Sequence, residues 1–84
     1  MKCHIVRRIQ TSDAGEVHLQ MFRELPIVPS PGWTLRDANG RVVSVESTRV
    51  TLHQDGVAEI LCALEQRDAV DLSLEAHAGW SAFP

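Results

Sequence analysis

The chain has 84 residues and a formal net charge of −3, which allows one small domain, 1–84, with an economical core. No apolar run approaches the roughly 20 residues of a membrane span, and the opening Met1-Lys2-Cys3-His4-Ile5-Val6-Arg7-Arg8 lacks the uncharged stretch of a signal peptide, so a cytoplasmic protein with no membrane partner is expected. Four aromatics, Phe22, Trp33, Trp80 and Phe83, leave the core mostly to Val, Leu and Ile, and Cys3 and Cys62, outside any CxxC pair, read as buried thiols rather than a disulfide.

Residues 2–10 alternate. Cys3, Ile5 and Ile9 fall on one side, interrupted by Arg7, and His4, Val6, Arg8 and Gln10 on the other, which predicts a first strand. Thr11-Ser12-Asp13-Ala14-Gly15 carries turn chemistry, and a second strand over 16–25 sets Val17, Leu19 and Met21 on one face. A hairpin with both apolar sets inward puts Ile9 opposite Val17 or Leu19, and Ile5 opposite Met21 or Arg23. The outer face then gathers Val6, Phe22, His4, Arg8, His18 and Gln20. It is too apolar for a plainly solvated surface, so a later piece of the chain or a partner covers it, the later piece being the simpler expectation.

Residues 26–32 form a proline-rich connector, since Pro26, Pro29 and Pro31 each fix φ and remove a backbone donor. Ser30-Pro31-Gly32-Trp33 has Pro and Gly at the central positions of a type II turn. Arg23, Pro26 and Pro29 also match a basic residue followed by PxxP, but Arg23 and Leu25 sit in a predicted strand, which favours a rigid connector. A third strand over 33–37 carries Trp33 and Leu35 on one face. Asn39-Gly40 within Asp37-Ala38-Asn39-Gly40 marks a hairpin. The fourth strand, 41–53, changes phase: Val43 and Val45 are odd, Thr48, Val50 and Leu52 even. A β-bulge between Glu46 and Thr48 restores both sets to one side. Gln54-Asp55-Gly56 reads as a turn, and 57–65 as a fifth strand with Ile60, Cys62 and Leu64 together.

Five strands with short turns and one bend predict a mainly β fold, a five-stranded antiparallel meander curled into a small SH3-like barrel or half-barrel. Over 68–84 two readings compete. Val70, Leu72, Leu74, Ala76, Ala78 and Trp80 alternate as a sixth strand would, yet Asp68, Asp71 and Glu75 sit at helical spacing and Gly79-Trp80 fits a helix C-cap. A short C-terminal helix over 68–78 is the expectation, covering the Val6/Phe22 face or closing the barrel, with Trp80 and Phe83 as anchors.

Catalytic chemistry has little purchase. Cys62 has His53 and Asp55 near it in sequence but shares an apolar face with Ile60, where a thiol is neutral and inaccessible, and Cys3 is placed likewise. The four histidines and two cysteines lack the close-paired spacing of zinc ligands, and every glycine is accounted for by a turn or cap rather than a phosphate loop. No catalytic residue, metal or cofactor is therefore assigned, and an enzyme is not expected. Charge is uneven: residues 1–54 hold seven cations against five carboxylates, and 55–84 six carboxylates against Arg67 alone. The simplest reading is that the two halves face each other.

Two functions remain. The first is a protein-interaction or self-associating module using Val6, Arg8, Phe22, Trp33 and Trp80, since buried aromatic and arginine side chains dominate binding energy. The alternative is RNA or single-stranded DNA binding through Arg8, His18, Arg36, Arg41 and Arg49, with His4 and Phe22 as stacking groups, which the net negative charge disfavours.

Overall fold

A computed structural model describes residues 1–50 and 56–83. Its element order is β1 (Lys2–Thr11), β2 (Gly15–Glu24), β3 (Thr34–Arg36), β4 (Val42–Val50), β5 (Ala58–Cys62), β6 (Glu65–Arg67), α1 (Leu72–His77) and β7 (Ser81–Phe83). The strands form one sheet in the order β3-β4-β5-β1-β2-β7, with β6 also paired to β1.

The first hairpin follows the alternation. Ile9 pairs with Val17 and Ile5 with Met21, because any one-residue slip would turn the whole apolar set to the other face. The turn is fixed by Thr11, whose hydroxyl donates to the Gly15 carbonyl at 2.7 Å and accepts from the Ala14 N–H at 3.0 Å. In the connector, Trp33 N–H donates to the Ser30 carbonyl at 3.0 Å, and Gly32 has φ +90°, as the Pro-Gly centre of the expected turn requires. The connector then docks on β4: Gly32 N–H donates to Val45 O, Val45 N–H to Trp33 O, and the Thr48 hydroxyl to Pro29 O. The register of β4 against β5 shifts between Val45 and Ser47, which is the bulge that the change of phase demands. Thr48 thereby returns to the same side as Val45, opposite Ile60.

At the second hairpin the residue with positive φ, Gly40 at +82°, follows the turn. Gly40 N–H bonds to Asp37 O and Asp37 N–H to Arg41 O, each at 2.9 Å, the pattern of a turn followed by a glycine bulge. The helix is the correct reading of the C-terminal segment, though shorter than 68–78. Asp71 caps it, accepting from Ser73 and Leu74 N–H. It ends in a Schellman arrangement, Gly79 N–H to Ala76 O and Trp80 N–H to Glu75 O, with Gly79 at φ +97°.

Three expectations are corrected. Among the described residues the sheet has seven strands rather than five and is mixed: β5 pairs antiparallel with β4, as a meander would, but parallel with β1. Strand 57–65 breaks after Cys62, and its second part becomes β6 beside Ile9–Thr11, leaving Leu64 exposed instead of sharing the face of Ile60 and Cys62. The sheet is not closed into a barrel. No Cα of β2 comes within 8 Å of one in β3, because β7 takes the edge of β2 at His18–Gln20 and β3 is only three residues long. The turn expected at 54–56 lies mostly outside the described residues, as do Leu52 and His53.

The core lies on the inner face. Cys3, Ile5, Ile9, Leu19, Met21, Val43, Val45, Ala58, Ile60 and Cys62 are joined there by Ala78 and Trp80 from the C-terminal segment. Helix α1 packs beside β7 and does not cover the Val6/Phe22 face. Among the described residues no helix is long and apolar enough to cross a membrane.

Candidate functional site

Charge is concentrated on the inner face. Arg7 follows Ile5 in the inward alternation of β1 and is 0% exposed. A buried guanidinium needs partners, because an unpaired charge away from water is strongly unfavourable. It finds two: Nε and Nη2 donate to Glu65 at 2.8 and 3.0 Å, and Nη1 donates to Glu75 Oε2 at 2.5 Å. Arg67 donates to the same Glu65, and Arg41 Nε stands 3.7 Å from Glu75 Oε1. Arg67, Glu65, Arg7, Glu75 and Arg41 thus alternate in sign, from exposed Arg67 through buried Arg7 and Glu75 to half-buried Arg41. The Trp80 ring lies over the Arg7 guanidinium, 4.8 Å from its centroid, and its indole N–H donates to Asp37 Oδ2 at 3.0 Å.

The electrostatics follow from these contacts. Burial opposes the charge on Arg7, but the hydrogen bonds and charges of Glu65 and Glu75 outweigh it and hold its pKa above the ordinary guanidinium value. Burial likewise pushes Glu65 up, while Arg7 and Arg67 bring it below the usual carboxylate range. Asp37 is also held low, since the Trp80 indole and the Arg41 and Asn39 backbone N–H groups overcome its burial. The Cys62 thiol is pushed up to about 11, chiefly by burial. It has no thiolate character at neutral pH.

Part of the uneven charge of the two halves therefore meets inside the fold. Arg7 and Arg41 come from the first half, Glu65 and Glu75 from the second. Sequence reasoning saw Arg7 only as an interruption of a strand pattern. An arginine at an inward position was itself the signal, because it obliges a distant carboxylate to be buried with it.

The outer face is a different surface. Its side chains form rows across the sheet: Phe22, His4, Glu59 and Arg49 in one, Gln20, Val6, Leu61 and Ser47 in the next, and Phe83, His18 and Arg8 in a third. Phe22 is 58% exposed and stacks flat on the His4 ring, with centroids 4.4 Å apart. Gln20 fixes that ring by accepting from His4 Nε2 at 2.7 Å. Beside this ridge a hollow of about 420 Å³ runs along β4 and β5, bordered by Val6, Leu61, Arg49 and Glu59.

The expected contact residues separate accordingly. Val6, Arg8 and Phe22 share the outer face, Trp33 is exposed just before β3 rather than within it, and Trp80 is a core residue with 4% exposure, which removes it as a surface contact. The nucleic-acid candidates are not brought together as a cationic stripe. Arg8 pairs with Glu46 at 3.1 Å, His18 stands 3.5 Å from Glu16, Arg41 faces Glu75, and Arg49 lies opposite Glu59. Arg36 lies apart on the edge strand β3.

Among the described residues no group of three or more His, Cys, Asp and Glu side chains is arranged to hold a metal ion, and Cys3 and Cys62 are both free and buried. Comparison with protein-family models, curated proteins and solved structures gives no match.

Proposed function

We propose that this chain is a non-enzymatic, self-associating protein-interaction module in which two copies pack outer face against outer face. The observation that carries this reading is Phe22, more than half exposed yet held in one orientation by its stack on His4, on a sheet face that no element of the described residues covers. An aromatic side chain so pre-ordered gives up little conformational entropy when it is buried by a partner.

A second copy is the occupant because the same face supplies both halves of a fit. Phe22 projects in one row, and the hollow floored by Val6 and Leu61 lies in the next row, two strands away. A two-fold axis between them seats each Phe22 in the other copy's hollow, the self-complementary condition for an isologous dimer. Charges of both signs line the hollow, Arg49 with Glu59, so facing copies need not bring like charges together.

Sedimentation equilibrium over about two decades of protein concentration tests this through mass action. The expected result is a mass that rises from monomer to dimer, with Phe22→Ser weakening association by at least about 2 kcal/mol, as for a central aromatic anchor. A monomer mass throughout, or an unchanged dimer in the Phe22→Ser chain, refutes it.

A further inference from the structure

The inner side of the sheet, opposite the Phe22 surface, is open between β2 and β3. The sheet bends enough for the two strands to border one cavity of about 150 Å³, but they do not pair. Its walls are Ile5, Met21, Leu25, Leu35, Val43 and Trp80. These are apolar, and a cavity of about this size lined in this way accepts a group as large as a benzene ring.

Two cations, Arg23 and Arg36, also line the cavity and are exposed to solvent. Among the described residues neither has a carboxylate within 4 Å, whereas Arg7, Arg8, Arg41 and Arg67 all do. Asp37 is the one carboxylate among the lining residues. Its oxygens already accept from Asn39 and Arg41 N–H and from the Trp80 indole. It has no need of a cation from the ligand, and it repels a second anion from its end of the cavity. The lining thus offers apolar contacts to one part of an occupant and two cations to an anionic part. Guanidinium groups are suited to that part, since they bind carboxylates through paired, charge-assisted hydrogen bonds.

We infer that this opening is a binding site for a small organic carboxylate bearing one ring-sized apolar group. The inference is independent of self-association, because the site lies on the other face of the sheet.

The test is a titration of the ¹⁵N-labelled chain with 3-phenylpropionate, followed by amide and indole resonances. Saturable shifts at Met21, Leu35 and the Trp80 indole N–H are expected. The uncharged analogue 3-phenylpropionamide should bind about tenfold or more weakly, the effect of losing a charge-assisted contact. That comparison uses the unaltered chain and needs no variant to fold. In Arg23→Gln/Arg36→Gln the preference for acid over amide should vanish. Acetyl-glycyl-phenylalanine presents the same ring and carboxylate at a peptide end, and weaker binding of it supports a free acid. Tighter binding of that peptide overturns the assignment to a free acid. Equal affinity for acid and amide, shifts confined to the outer face, or no saturation up to about 20 mM, beyond any specific affinity, overturns the site itself.

Discussion

Arg7 follows Ile5 and precedes Ile9 on the inner face of β1, and it is held there by carboxylates contributed 58 and 68 positions later in the chain. Removing one member of such a cluster leaves the others buried and unpaired. Arg7→Met is therefore expected to destabilise the fold by about 3–5 kcal/mol, read from urea denaturation, while a combined replacement of Arg7, Glu65 and Glu75 by apolar residues should recover part of that loss. Acid should have a related effect. Glu65 and Asp37 have folded pKa values below their unfolded ones, so the unfolded chain binds protons first as pH falls. The stability they contribute is complete above the ordinary carboxylate range, near pH 4, and is lost as pH drops through the lower folded values. Denaturation midpoints should accordingly be lower at pH 3 than at pH 7, with no such fall between pH 7 and pH 6. Pairings across the first hairpin were legible to within one alternative, such as Ile9 with Val17 and Ile5 with Met21. Pairings made by burial were not, because nothing near Arg7 in sequence names Glu65 or Glu75.

At the scale of elements, local chemistry is a reliable guide where one residue type has one use. Gly32, Gly40 and Gly79 all sit at positive φ, and the bulge in β4 falls where the phase of Val43, Val45, Thr48 and Val50 changes. The C-terminal segment shows how a conflict is settled. Its perfect alternation argued for a strand, but the Asp71 cap and the Gly79-Trp80 ending satisfy the backbone groups of a helix end, and periodicity alone offers no such satisfaction. Asp71→Ala should cost about 1 kcal/mol of stability in the same urea assay, and Asp71→Asn distinctly less, because asparagine caps nearly as well. The break in the strand at Ala63 was not legible. Ile60, Cys62 and Leu64 alternate without interruption, and only the demand of Arg7 for Glu65 and the pairing of β6 with Ile9–Thr11 explain why Leu64 leaves the core.

For the molecule as a whole, Trp80 ties together parts of the chain that lie far apart in sequence. It closes the helix, covers Arg7 and bonds Asp37 at the end of β3, linking the C-terminal segment to a hairpin 43 residues earlier. Trp80→Ala should destabilise by about 3–5 kcal/mol, as truncation of a large buried ring does. Trp80→Phe should lose about 1–3 kcal/mol, the cost of leaving a buried acceptor without its donor. Thermal unfolding of the two variants separates packing from the hydrogen bond. The amino-acid sequence by itself determined the mainly β character, the first hairpin and which of its side chains face inward, the turn chemistry, the bulge and the short C-terminal helix, since all of these arise from side-chain alternation or from a few adjacent residues. Only the tertiary structure decided that β5 runs parallel to β1, that the sheet stays open between β2 and β3, that Trp80 is interior while Phe22 is not, and that Arg7 and Arg41 of the first half meet Glu65 and Glu75 of the second. Those outcomes depend on which distant surfaces bury one another, a global competition for burial that no local pattern encodes.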